Sequence, residues 1–311
     1  MQELLNKAGL ATQRVALALC GVAPGERIPT ISALEKACET SRGNVQKALA
    51  NLKEEGAISL EPHGQNGTTL LSVDYLAIAR ACGRAHLTGV MPLPYTSRYE
   101  GLATSLFTLL NASDLRAYIM FMRGSEARVQ TLLDGSAGYA VMSRLAFDDY
   151  VGRGVPIKAA LTCAPLSYVG RHVLLVRDAS RTDWTGARVG IDTSSVDQSR
   201  LTQQYFANTD VEYVPVQYTH IVEMLLSGEL DVGIWNEDDV HVRASGLTMR
   251  PLGGPDGAED GGIQDGDNTC AVIAVRSDDP LTCQVIRSLA SADTVGEVQR
   301  QVMEGKLPAR Y

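Results

Sequence analysis

The stretch SRGNVQKALANLKEEG, residues 41–56, decides how the rest of this chain is read. Val45, Ala48, Leu49 and Leu52 fall at i, i+3, i+4 and i+7, an apolar stripe at helical spacing. Ser41 stands where an N-cap belongs, and Gly56 ends the run. The opposite face carries Gly43, Asn44, Gln46, Lys47 and Asn51, with Arg42 at its N-terminal flank. Its only charges are positive. Arg suits guanine edges, Asn and Gln suit adenine, and Lys suits phosphate. Taken alone, the same face also reads as an ordinary solvated one.

The flanks add to this. Upstream, residues 4–19 read as a helix, broken by Gly21, Pro24 and Gly25. Pro29–Thr30 opens a short helix that buries Ile31, Leu34 and Ala37, and a turn at Glu39–Thr40 joins it to the helix above. Downstream, Ile58–Leu60 and Thr68–Leu71 are strand-like, and Pro62–Gly67 forms the turn between them. Two helices joined by a tight turn and followed by a β-ribbon give the winged helix-turn-helix pattern. His63 and Asn66 sit at its Gly-rich tip, where backbone can approach a phosphate.

The combination of Arg27-Ile-Pro-Thr30, Leu34, Ser41-Arg42, Val45, Ala48-Leu49, Leu52, Gly56-Ala57-Ile58 and Gly67-Thr68 resembles the GntR-type winged helix of bacterial transcription regulators. The likeness implies that Ser41, Arg42, Asn44 and Gln46 read bases and that His63-Gly64 forms the wing tip. It departs at Ser32, where many members carry an Arg, so phosphate anchoring would fall to Arg27 or Lys47.

Charge is distributed unevenly. Residues 1–73 hold seven Lys/Arg and seven Asp/Glu, so the whole net charge of −8 belongs to the remainder. Any DNA-binding surface must therefore rely on local placement of positive residues in the neutral segment. Apolar residues are 45% and charged residues 21% of 311, which excludes wholesale disorder. The uncharged apolar stretches fall short of the ~20 residues of a membrane span, and residues 1–10 lack the apolar core of a signal peptide. Six scattered cysteines without a C-x-x-C pair fit reduced thiols in a cytoplasm.

From residue 85 onward strands and helices alternate, the pattern of α/β layers with mostly parallel sheets. Helices are expected over 97–110, 125–133, 144–150, 196–206 and 221–226, and strands over 85–91, 116–122, 139–142, 188–191, 211–216 and 231–235, with two extended segments between 157 and 177. A weak internal repeat aligns residues 132–143 with 225–236. In each copy a helix ends at a Gly and the chain enters an apolar strand that delivers a polar residue, Ser143 or Asn236. Two such lobes facing each other would bind a ligand at the carboxyl ends of their strands. This layout resembles the type 2 periplasmic-binding-protein fold used as an effector-sensing domain. The stretch 91–104 behind a GntR-type head is similar to YhfZ-type regulators. The expected organisation is a winged-helix DNA-binding domain at 1–73, a linker at 74–84 and a two-lobed effector-binding domain at 85–311.

Ser97–Glu100 and Ser195–Gln198 both read as S-x-x-E/Q capping boxes, which place helix N-termini and their positive dipole ends at one cleft. Plain helix caps are the competing reading. In the ligand reading Arg98 and Arg123 supply charge. Hydrogen bonds come from Tyr95, Thr96, Ser97, Ser125, Ser143, Thr193, Ser194, Ser195, Gln198 and Asn236. Residues 236–239 could hold an ammonium group or a metal, or simply cap a helix, and residues 253–268 read as a Gly-rich acidic surface loop. Familiar catalytic motifs are missing, and no metal or cofactor is expected. The expectation is a cytoplasmic, homodimeric regulator that binds double-stranded DNA and an anionic small-molecule effector, with no membrane partner. An enzyme on the same scaffold, its head serving dimerisation, is the alternative.

Overall fold

The computed structural model describes residues 7–238, 245–252 and 269–311. The chain forms two compact units. One runs to Leu87 and also takes Leu110–Ala117 and Ser277–Leu289; the other takes Thr88–Leu109, Tyr118–Arg276 and Ala290–Tyr311.

The first unit begins with α1 (Lys7–Leu19), α2 (Ile31–Ala37) and α3 (Arg42–Glu54). Thr30 caps α2 through the N–H of Ala33 at 3.2 Å, and Ser41 caps α3 through the N–H of Asn44 at 3.4 Å. Glu39, at φ +48°, makes the tight turn between the two helices. Val45, Ala48, Leu49 and Leu52 are all buried, so the apolar stripe is the packed face of α3. At ~1.5–3 kcal/mol for a fully buried Leu or Val side chain, that stripe fixes which residues face outward. Strands β1 (Ile58–Pro62) and β2 (Thr68–Val73) pair antiparallel. The upstream chain joins them: Arg27 bridges Thr69, and the N–H of Ile28 reaches Thr68 at 2.9 Å.

The segment expected as a linker holds a helix instead. In α4 (Tyr75–Ala81), Asp74 accepts from the N–H groups of Leu76 and Ala77, and Ala77, Ile78 and Ala79 are buried. A seven-residue helix shows too little periodicity to be read from sequence, and its packing partner comes from Pro280–Leu289, about 200 residues along. Within this unit Arg84 also pairs with the carboxylate of Asp279 at 2.7 Å.

The second unit is built on two five-stranded sheets. In chain order its elements are β3 (His86–Met91), α5 (Ser97–Leu110), β4 (Arg116–Phe121), α6 (Ser125–Leu133), β5 (Tyr139–Ser143), α7 (Arg144–Gly152) and β6 (Ile157–Thr162). Then come β7 (His172–Val176), β8 (Arg188–Ile191), α8 (Val196–Tyr205), β9 (Glu212–Pro215), α9 (Ile221–Ser227), β10 (Val232–Asn236) and β11 (Thr248–Pro251). The chain returns through β12 (Ala271–Arg276), α10 (Pro280–Leu289, in the first unit) and α11 (Ala292–Met303). The sheets run β4-β3-β5-β12-β6 in the first lobe and β11-β7-β10-β8-β9 in the second.

Both sheets are mixed rather than mostly parallel. Parallel pairs β3–β5, β8–β10 and β8–β9 coexist with β12, antiparallel to β5 and β6, and with β7, antiparallel to β10 and β11. A returning strand can enter a sheet in either sense, and local patterning carries no sign of which. In β7 every residue is buried. Leu174 and Val176 pack on one face with Leu201 and Phe206, while Val173 and Leu175 pack on the other with Ile221 and Leu225. The internal repeat is real: Gly135 (φ +82°) and Gly228 (φ +83°) occupy the left-handed region just after α6 and α9, where a side chain would strain the backbone.

Candidate ligand cleft and nucleic-acid interface

In the first unit, the packed stripe leaves Arg42, Gln46 and Lys47 exposed and unpaired among the described residues. Ser41 and Asn44 are partly committed: Ser41 caps the helix, and Nδ2 of Asn44 donates to Thr40 Oγ1 at 3.2 Å. At the wing, a ring nitrogen of His63 lies 3.1 Å from Thr69 Oγ1 and 3.7 Å from the Glu61 carboxylate. Gly64 turns the tip at φ +61°. Exposed Arg27 runs beside Gly67, where an added Cβ would lie 3.8 Å from its Cδ.

Within the second unit a cavity of about 710 Å³ lies between the lobes. That is ample for a small metabolite. Of the residues expected to hold a ligand, Tyr95, Arg123, Ser125, Ser194, Ser195, Gln198 and Asn236 line it. Thr96, Ser97, Arg98, Ser143 and Thr193 are not among its lining residues.

The reasons are local. Thr96, not Ser97, caps α5: its buried Oγ1 accepts from the N–H of Tyr99 at 3.2 Å. Ser97 is exposed outside the cavity, as is Thr193. Arg98 is clasped by Asp238, Nε to Oδ2 at 2.7 Å, and donates to the carbonyl of Leu166. Ser143 is fully buried; it caps α7 and donates to Asp197 of the second lobe. Only half of the second capping box forms. Ser195 Oγ accepts from the N–H of Gln198 at 3.5 Å, but the Gln198 amide turns inward. Its Oε1 accepts from Asp192 N–H at 2.6 Å, and its Nε2 donates to the Gly190 carbonyl at 3.0 Å. The helix start that opens on the cavity without a side-chain cap is that of α6, behind Gly124 at φ +73°.

The acidic run at 236–239 is dispersed. Asn236 Oδ1 accepts from Asp238 N–H at 2.9 Å, Glu237 pairs with Arg171, and Asp238 also accepts from Gly170 N–H at 2.7 Å. Asp239 and the loop 253–268 lie outside the described residues. Among the described residues no cluster of three metal-ligating side chains exists.

Sequence reasoning missed several lining residues. Arg128 is 4% exposed; it donates to the carbonyls of Val141 and Met122 at 3.0 Å and to Tyr168 Oη at 3.3 Å. Tyr218 stacks on Trp235 at 4.1 Å and 7°, and its Oη accepts from the N–H of Asn236 at 2.8 Å. Tyr99 and Tyr168 meet edge to face at 5.2 Å. Burial pushes both phenols above their ordinary range, so they remain neutral. Asp192 takes the N–H and hydroxyl of Ser194 on one oxygen and the N–H of Tyr218 on the other. The Trp-Asn pair was visible at the end of the repeat; Arg128 and Tyr218 carry no local signal.

A helix-turn-helix head joined to a two-lobed α/β body of periplasmic-binding-protein type defines the class. Residues 23–70 match the family described as a helix-turn-helix domain, and residues 74–311 match the YhfZ C-terminal domain. The YhfZ protein of Escherichia coli (strain K12) is 33% identical over 311 residues, covering 100% of this chain and 99% of that one. The crystal structure of YhfZ from Shigella flexneri is 32% identical, with a TM-score of 0.60 over 73% of this chain and 94% of that chain. The chain belongs to the YhfZ family. An ancestral arginine-binding protein bound to arginine shares the fold at 13% identity, with a TM-score of 0.50 over 72% of this chain and 96% of the other.

Proposed function

We propose that the chain is a DNA-binding transcription regulator whose operator affinity is set by a small effector held between the two lobes of its body. The observation that carries this reading is α3. Its apolar face is wholly buried, and Arg42, Gln46 and Lys47 stand outward at the positions a recognition helix uses for bases and phosphates. The wing adds His63, Gly64 and Arg27 for backbone contact, in keeping with the GntR likeness.

The cleft supplies the second half. Arg123 and the start of α6, which has no side-chain cap, favour an effector with a negatively charged group. A ligand changes operator affinity only as far as it binds one lobe arrangement better than another. The protein works in the cytoplasm as a homodimer, because one winged helix reads only a few base pairs and a two-fold operator needs two heads. Among the described residues no helix is long and apolar enough to cross a membrane.

Selection of short DNA fragments from a random library by the full-length chain tests the reading. A recovered consensus with two-fold symmetry, preferred over scrambled DNA, is expected. Recovery of fragments with no common sequence would contradict it.

A further inference from the structure

Strand β10 ends at the cavity with donors to spare. Among the described residues, Nδ2 of Asn236 and Nε1 of Trp235 have no hydrogen-bond partner, although the residues are only 1% and 3% exposed. Both residues line the cavity. The Asn236 amide cannot reverse to remove the mismatch, because its Oδ1 is held by the N–H of Asp238. Buried donors without partners are costly and uncommon, and a bound ligand is one way to complete them. A third source of donors is the first turn of α6, nine residues long, where Ser125, Glu126 and Ala127 line the cavity behind an N-cap glycine with no side chain to accept. Arg123 stands beside it, with Nη1 on Thr219 at 3.1 Å.

The acceptors of Asp192, Asp197 and Gln198 in the lining are already engaged. Both oxygens of Asp192 are bonded by Ser194 and Tyr218, Asp197 accepts from Ser143, and Oε1 of Gln198 accepts from Asp192. Each of these acceptors already holds a donor, so a ligand's ammonium group gains less from them than a ligand acceptor gains from Asn236 and Trp235. Charge narrows the choice further. Arg123 and Arg128 face Glu126, Asp192 and Asp197 around the cavity, a formal balance of −1. A dianionic phosphate meets more repulsion there than a single carboxylate does. Tyr95, Tyr99 and Trp235 add flat apolar walls.

We propose that the cleft binds a monocarboxylate that carries a second, neutral carbonyl oxygen, an apolar or aromatic side chain and no ammonium group. Oxo acids and N-acyl amino acids belong to this class. The assignment rests on the effector-cleft reading above. The carboxylate lies at the start of α6 beside Arg123, and the neutral carbonyl accepts from Asn236 Nδ2.

Calorimetry of the full chain against matched sets tests it. The probes are phenylalanine, phenylpyruvate, N-acetylphenylalanine and phenyl phosphate, with leucine, 4-methyl-2-oxopentanoate and N-acetylleucine as a second series. At least one carbonyl-bearing acid is expected to bind tenfold or more tighter than the free amino acid and the phosphate. Asn236→Asp, which keeps the oxygen that faces Asp238, should lower that affinity at least tenfold, and Trp235→Phe should lower it by a smaller factor. Thermal melting of both variants checks that they fold. A free amino acid or phenyl phosphate that binds tightest and shifts operator affinity would overturn the ligand class but leave the effector reading standing. Equal binding by folded Asn236→Asp would overturn the class too. Failure of every probe, together with operator affinity unchanged by a cell extract, would overturn both.

Discussion

The hydroxyl of Ser143, at the carboxyl end of β5, donates to the carboxylate of Asp197 in the first turn of α8 and so ties the two lobes together. The same oxygen accepts the N–H of Ala146 at 3.0 Å and caps α7. Nearby, Arg200 of α8 reaches Asp149 of α7 at 2.7 Å. In the sequence repeat Ser143 pairs with Asn236, yet the two do different work. Ser143 is spent on holding the lobes, whereas Asn236 keeps a donor for the cavity.

Replacing Ser143 by Ala removes a helix cap and the lobe-to-lobe hydrogen bond in one step. A cap contributes ~0.5–2 kcal/mol and a hydrogen bond to a charged group ~1.5–3 kcal/mol. The expected loss is about 2–3 kcal/mol, since the two share one oxygen and do not add fully. Urea denaturation followed by fluorescence measures it. A midpoint equal to that of the parent would show that the contact contributes nothing.

On the DNA side, Arg42→Ala should cost roughly 1–3 kcal/mol of specific binding and relax preference at one base position. Lys47→Ala should instead weaken binding to all sequences and flatten the salt dependence. Gel-shift titrations at two salt concentrations separate these outcomes. Unchanged specific affinity of the Arg42 variant would remove that residue from the reading set.

Asp231, just before β10, is nearly buried and meets the partly exposed guanidinium groups of Arg177 and Arg188, both at 3.0 Å, with Arg181 at 3.5 Å. Burial opposes its ionisation, but the Arg188 side chain and backbone N–H, with Arg177, overcome this and hold the carboxyl well below the usual carboxylate range. The folded carboxyl thus ionises at lower pH than the unfolded one. Its contribution is complete above about pH 4 and is lost as pH falls toward the folded value. Asp231→Asn should cost roughly 2 kcal/mol at pH 7, because it removes the charge that three partly solvent-screened arginines share. The gap between parent and variant should be about 1 kcal/mol smaller at pH 3. A gap independent of pH, in urea titrations at both values, would contradict the ion-pair account.

The fold was legible where periodicity was strong or caps were explicit. The stripe of α3, its Ser41 cap and the bounds Ser97–Leu110 and Ser125–Leu133 follow directly from residue spacing. The stretch from Thr248 to Met303 was not. Strand β12 is a short apolar run whose place between β5 and β6 is fixed by pairing with strands more than 100 residues earlier. The candidate site was legible at strand ends, where Tyr95, Arg123, Ser194 and Asn236 emerge into the cavity. It failed at Arg98, whose partner Asp238 is 140 residues away. Spacing shows which face of a helix is outward, but not which distant carboxylate will meet it.

The most direct test of the central claim is operator affinity as a function of cleft occupancy. Fluorescence anisotropy of a labelled duplex carrying the selected sequence would be followed while the tightest carboxylate probe is added to the full-length chain. The account predicts a change in operator Kd of about fivefold or more, within the 1–3 kcal/mol usual for coupling between sites, and a smaller change for Asn236→Asp. An operator Kd that stays constant from empty to saturated cleft would contradict it.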